Sequence, residues 1–551
     1  MKKTWTPYAD LVIKNAKIYT VDLTVADVQA GNFDFTVYEK GFVAAKDGKT
    51  IGVGEGSGVS FTGPETRVVD ATGKVVIPGL IDSHMHAMYS GVEMLGVSYE
   101  GISTLGQFQE RLRQRADATP KGQWIKGAGW NEMVWDKKEM PTRRDLDAVT
   151  AHHPVYAIRL CHHVYVANSM ALELAKITRD TPDPEGGRIG HFENGEPNGL
   201  LFENAAMNLI ENAVPPLTEE QLIEAIESMG KVMNGFGLTS CIDANMTLEQ
   251  MRAYLQASKQ GRLTYRENMM FYLEKAWGDM PYQLERIRQM IAVTGFGDDM
   301  VKLNGIKVTL DGIPATGTAA MRENYDHIPD TRGDTLYTPE QMTEMGRLAG
   351  TYNWQIGLHC CGDRSADVAM DTFEAAYEAA GNRDARHYII HMAITQPDQV
   401  GRLKALNVPI TVQPTINLQM GEQGLIGERL SSRYMMFKTA FDAGIIVGGS
   451  TDCPVVSCNP FEGMYGAITR NTACGFVHLP QEALTARQTL IMWTKNSAYF
   501  SHDDDKMGSI EVGNLADYAV IDTPILEASP EEIRATKVFM TVLGGKIVHE
   551  A

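Results

Sequence analysis

Short apolar runs broken by Gly, Asn and Asp open the chain: Leu11 to Tyr19, Phe35 to Tyr38, Gly41 to Ala45, Lys49 to Gly54 and Thr66 to Val69. Runs of this length with this punctuation predict β-strands. The same texture returns at the far end, over Asp517 to Ile521, Lys537 to Leu543 and Gly545 to Val548. Between the ends the pattern changes. Strand-length runs occur at Val75 to Ile81, Pro154 to Leu160, Gly237 to Asp243, Glu267 to Tyr272, Val301 to Leu310, Gln355 to His359, His387 to His391, Val408 to Gln413 and Ile445 to Gly449. Several are separated by stretches of helical period, such as Glu219 to Asn234, Pro339 to Thr351 and Ala366 to Ala380. Such alternation predicts an α/β fold with a parallel sheet, here a (β/α)8 TIM barrel. That leaves one strand too many. The region from about 91 to 216 is too long for one βα loop, so it is expected to be an insertion that carries Pro154 to Leu160. Chain termini often lie close together. The two β-rich ends, 1–74 and 505–551, are therefore expected to form one small β-sandwich domain beside a barrel over 75–504.

Composition narrows the function. In the 551 residues, hydrophobic residues make up 44% and charged residues 22%, a globular balance, and the formal net charge is -19. So acidic a chain is poorly suited to nucleic acid or an anionic membrane, which both require positive surface. No apolar run approaches the roughly 18 residues of a membrane span, and no apolar segment follows Lys2 and Lys3 to make a secretory signal. The seven cysteines (Cys161, Cys241, Cys360, Cys361, Cys453, Cys458 and Cys474) are odd in number and sparse. They point to free thiols in a reducing compartment, and a cytoplasmic location is expected.

The run Val75 to Ile81 leads into Asp82-Ser83-His84-Met85-His86. Side chains alternate along a strand, so His84 and His86 face the same way and can share a metal. Barrel strands present functional groups at their C-terminal ends. By itself the pair also reads as two polar residues at a strand end. Three further residues change that balance. His359 ends Gln355 to Leu358, His391 ends His387 to Ile390, and Asp452 follows Ile445 to Thr451. Four histidines and an aspartate at strand exits fit a metal site, and imidazole with carboxylate suits zinc, with manganese, iron or nickel as alternatives.

The order His-x-His, Lys, His, His, Asp resembles that of the amidohydrolase superfamily, and within it the YtcJ-like branch that includes N-substituted formamide deformylase. The resemblance runs through PGLIDSHMH at 78–86, Trp124 to Gly127, Pro141 to Asp147, His163 to Ser169 and Gly186 to Ile189. It continues through Lys307 to Gly312, His359 to Arg364, Gly449 to Asp452 and the closing Met507 to Asp517. It implies that His84, His86 and Asp452 hold a buried metal, that His359 and His391 hold a second, and that Lys307 bridges them as a carbamate. Lys302 is a decoy, read as a solvated or salt-bridged lysine. His163 is implied as a catalytic residue facing the substrate pocket, while neighbouring His162 packs elsewhere. Cys360, Cys361 and Cys453 depart from the usual pattern. They read either as small buried residues or as thiols near the metals.

The resemblance implies metal-assisted hydrolysis of an amide or related C–N bond, with Asp452 carrying the proton from water to the leaving amine. The same site type also cleaves esters and lactones, and a non-catalytic relative would be expected to lack one of the ligands. The expected partner is a small-molecule substrate, with neither nucleic acid nor membrane. Self-association is left open. Trp130, Trp135 and His163 in the insertion are expected to contribute to a lid.

Overall fold

Pro78 and Gly79 divide the first long apolar run. Proline brings no N–H to a ladder, and a Cβ at Gly79 would lie 2.2 Å from Thr239 Oγ1. The run Val75 to Ile81 is consequently two strands rather than one. Val75–Pro78 joins the small sheet, beside Leu11–Tyr19 and Tyr518–Ile521. Leu80–Met85 begins the barrel. The structure, a computed structural model, describes residues 8–160, 163–273, 278–290, 292–382, 384–419, 426–473 and 475–551. Cys161, His162 and Cys474 lie outside them.

Eight parallel strands follow one another in chain order: Leu80–Met85, Leu238–Met246, Arg266–Leu273, Val301–Thr309, Ile356–Cys360, Tyr388–His391, Ile410–Val412 and Val447–Gly449. They are numbered one to eight below. Nearly every residue on them is buried, as parallel strands covered by helices require. Helices such as Glu219–Gly235, Pro339–Thr351 and Asp363–Ala380 provide the crossovers. At the seam, strand eight and the turn after it meet strand one through discrete bonds. Ser83 Oγ donates to Gly449 O (2.9 Å), Asp452 N to His84 O (2.9 Å), and His86 N to Cys453 O (2.8 Å). The fold is a (β/α)8 barrel.

The chain ends build an eight-stranded sheet in the order Lys546–Glu550, Val538–Leu543, Tyr518–Ile521, Val75–Pro78, Leu11–Tyr19, Val37–Lys46 and Lys49–Glu55, with Arg67–Asp70 also paired to Leu11–Tyr19. The separate runs Phe35 to Tyr38 and Gly41 to Ala45 fall largely within the single strand Val37–Lys46. Ile13, Ile18, Val43, Val76, Tyr518, Val520, Met540 and Val542 share one apolar cluster. Arg266 at the start of strand three ties this sheet to the barrel. Its guanidinium grips Asp517 with two bonds of 2.6 and 2.9 Å, and Asp517 also accepts Gly544 N at 2.7 Å.

Residues 90–228 form a second compact unit, wider than the expected 91–216. It has its own six-stranded sheet, in the order Arg188–His191, Pro197–Phe202, Val164–Ala167, Val155–Arg159, Ile125–Trp130 and Val97–Ser98. The run Pro154 to Leu160 contributes the fourth of these. Trp130 and Trp135, expected in a lid, are instead buried in this unit's own core with Phe108, Leu112 and Leu146. Ring size and apolar character place them there, where they bury the most area. Among the described residues, no helix is long and apolar enough to cross a membrane.

The Arg266–Asp517 pair is almost fully buried, with side-chain exposures of 6% and 4%. Asp517→Ala leaves a buried guanidinium without its carboxylate. We expect a loss of about 3–5 kcal/mol, read as a lower midpoint of denaturant unfolding.

Candidate metal centre

Four barrel strands bring the expected ligands together. His84 lies within strand one and His86 one residue past it; His359 is on strand five, His391 ends strand six, and Asp452 follows strand eight. Asp452 Oδ1 lies 3.2 Å from His84 Nε2 and 3.1 Å from His86 Nε2. One ligand atom from each of His84, His391 and Asp452 falls within 4.8 Å of the other two. The His359 and His391 ring centres are 4.4 Å apart, and those of His84 and His391 5.3 Å. All five residues and Lys307 line a cavity of about 460 Å³.

These spacings fit a metal. Two nitrogen or oxygen ligands on one tetrahedral zinc are about 3.3 Å apart, close to the His–Asp452 distances. No described residue offers either ring nitrogen of His84 a well-formed hydrogen bond, although both are buried. Burial, with the Lys307 charge, pushes the His84 pKa down to about 3. Burial and the neighbouring His359 push His391 well below its ordinary value. Neutral imidazole is the form that ligates. Burial opposes ionisation of Asp452, but the imidazoles of His84 and His86 hold it well below the usual carboxylate range. Burial lowers the Lys307 pKa to about 8. Among the described residues Lys307 has no salt-bridge partner, whereas Lys302 is bonded to Asp503 (2.6 Å) and Ser501 O (2.7 Å). Lys302 is thus the structural lysine.

The profile of the amidohydrolase family matches residues 67–549. The chain belongs to the amidohydrolase family. It is 27% identical to a putative amidohydrolase YtcJ of Bacillus subtilis (strain 168), over 94% of this chain and 98% of that one. It is 28% identical to N-substituted formamide deformylase of Arthrobacter pascens, over 99% of both. An uncharacterized metal-dependent hydrolase from Pyrococcus furiosus has the same fold, with a TM-score of 0.74 at 23% identity, covering 94% of this chain and 100% of that one. The protein is accordingly a hydrolase acting on C–N bonds, of a family that is generally dependent on divalent metals.

Around the amidohydrolase site stands a set of polar residues that the sequence alone did not single out. Asp82 accepts His84 N (3.1 Å), Thr451 N (3.2 Å) and Thr451 Oγ1 (2.6 Å), joining the residues beside two ligands. Gln413 Oε1 meets His391 Nδ1 at 2.8 Å, which leaves Nε2 toward the cavity, and its amide donates to Ser450 Oγ. Asp311 is fully buried. Its Oδ1 faces His359 Nδ1 at 3.3 Å and accepts Cys361 N at 3.0 Å. Its Oδ2 accepts Ala320 N (2.9 Å), Gly362 N (2.9 Å) and Ser365 Oγ (2.6 Å). Gly362 permits this convergence, since a Cβ there would lie 2.0 Å from Ala320 O. The available signal was a charged residue inside an otherwise apolar run, as at Asp82, or directly after one, as at Asp311.

His163 lies in the unit of residues 90–228. It is exposed, with Nδ1 2.8 Å from Glu203 Oε2; its reading as catalytic rests on the family resemblance alone. Cys360 is buried away from solvent, Cys361 lines the cavity, and Cys453 and Cys458 are buried near one another.

Outer carboxylates that orient a ligating histidine typically contribute about 10- to 100-fold to metal affinity. Asp311→Ala strands three backbone donors and frees the His359 ring. We expect metal affinity to fall by at least about that factor, measured by competition with a chelator.

Proposed function

We propose that the protein hydrolyses an amide or related C–N bond of a small molecule, using one or two divalent ions, zinc foremost, held by His84, His86, Lys307, His359, His391 and Asp452. The observation that carries this reading is the convergence on a single cavity, at ligand-to-ligand spacing, of the buried, neutral imidazoles of His84 and His391, the ionised carboxylate of Asp452, and the rings of His86 and His359. A metal bound there supplies Lewis acidity and lowers the pKa of water toward neutrality. Asp452 moves the proton. Its Oδ1 is turned to the two imidazoles, which leaves Oδ2 to take a proton from the attacking water and deliver it to the leaving nitrogen. His84 O anchors the Asp452 backbone through a 2.9 Å bond, so the carboxylate keeps one position through both transfers. The cavity wall of Ile313, Pro314, Ile416, Met435 and Val455 limits water around the reacting carbonyl.

Lys307 is proposed to bridge two ions as a carbamate, formed when its neutral amine adds carbon dioxide and releases a proton. Support comes from its place on the cavity wall, its burial, and the lack of a salt-bridge partner among the described residues. Cys241, Cys360 and Cys458, none of them in a disulfide, support a reducing, cytoplasmic setting.

Substrates are found by screening N-formyl, N-acyl and lactone compounds against the metal-loaded protein; turnover of lactones alone would refute the C–N assignment. With such a substrate, Asp452→Asn should keep its metal and lose about 100- to 10,000-fold in kcat. Normal metal content with near wild-type turnover would reduce Asp452 to a ligand only. Lys307→Ala should lose at least one metal equivalent and nearly all activity, and acetate or propionate should restore part of both. Lys307→Arg should not substitute, because guanidinium stays charged. Failure of the small acids to restore either quantity counts against the carbamate.

A further inference from the structure

Strand five ends in His359-Cys360-Cys361. Side chains alternate along an extended chain, so His359 and Cys361 share a face, as His84 and His86 do at the end of strand one. Cys360 points the other way and is fully buried. His359 and Cys361 both line the cavity, and Cys360 does not. Strand five therefore carries a His-x-Cys counterpart of the His-x-His pair on strand one.

The atoms are placed for a shared ion. Cys361 Sγ lies 3.8 Å from His359 Nε2. Nε2 is the nitrogen left for a metal, because Nδ1 faces Asp311. With Zn–N of about 2.0–2.1 Å and Zn–S of about 2.3 Å, two such ligands on one tetrahedral ion stand about 3.6 Å apart, near the observed spacing. The residue is also held in register, since Cys361 N and Gly362 N both donate to Asp311, at 3.0 and 2.9 Å. The carboxylate that orients the imidazole thus orients the thiol-bearing backbone too.

We propose that Cys361 is a thiolate ligand of the metal held by His359 and His391, giving that ion a mixed nitrogen–sulfur set. The inference rests on the metal reading above. On binding, the S–H bond breaks, an S–metal bond forms, and the proton leaves to solvent. A soft sulfur donor favours zinc or iron over manganese or magnesium at this position. The competing arrangement is a thiol hydrogen bond to Nε2, which would occupy the nitrogen that a metal needs.

Cobalt(II) separates the two, because thiolate-to-cobalt charge transfer absorbs strongly in the near ultraviolet and imidazole or carboxylate ligation does not. The full chain, stripped of metal and reloaded with cobalt, should show this absorption. It should persist in Cys360→Ala and vanish in Cys361→Ser and Cys361→Ala, with one equivalent of cobalt bound at least about tenfold more weakly. Cobalt bound by the wild type without the absorption would overturn the assignment and leave the metal reading standing. Absorption that survives Cys361→Ala, or that follows Cys360 instead, would do the same. A wild type that retains no cobalt would overturn the metal reading and this assignment with it. If the Cys361 variants fail to fold, the absorption must persist in both Cys360→Ala and Cys453→Ala, and its loss in either overturns the assignment.

Discussion

The site depends on how the barrel closes. Strands one and eight do not form a ladder; they meet through Ser83, His84, His86 and the turn at Asp452–Cys453. The bonds that close the cylinder are therefore made by the ligand-bearing residues themselves or by their neighbours. Asp82 strengthens the same seam by holding Thr451 through both backbone and side chain. The same bonds that close the barrel hold the Asp452 backbone beside His84.

The carboxylates around the cavity show how environment separates the tasks of one residue type. A buried charge is costly unless donors surround it. Asp311 meets that demand with three backbone N–H groups and the Ser365 hydroxyl, which makes it a rigid support for His359. Asp82 is served by fewer donors, and burial pushes its pKa up to about 7; it acts as a strut between two segments. Asp452 faces imidazoles and stays ionised, and it alone of the three lines the cavity.

Much of this was legible in the chain. The alternation of apolar runs and helical stretches yields the barrel, and His84, His86, His359, His391 and Asp452 stand out because each is a polar residue at or near the end of an apolar strand; Lys307 is reached through the family resemblance. What escaped depends on pairings that periodicity does not carry. Asp82 meets Thr451 across 369 residues, and Gln413 looks like any polar residue until His391 is seen beside it. Val75 to Ile81 reads as one strand because apolar character continues through Pro78 and Gly79, and only the pairing partners, Tyr518–Ile521 for the first half and Leu238–Met246 for the second, reveal the break. Trp130 and Trp135 show the converse, since aromatic residues near a presumed lid are more cheaply buried in their own core.

Two of the expected ligands, His391 and Asp452, have φ of 78° and 62°, and Met392 next to His391 has φ of 47°. Non-glycine residues in the left-handed region carry strain of roughly 1–3 kcal/mol each. The surroundings hold these conformations in place: Asp452 N is bonded to His84 O, Met392 N to Cys360 O, and the His391 ring to Gln413. Both side chains line the cavity. On the proposed metal reading, occupancy of the site and the stability of the seam are coupled, because the same residues serve both.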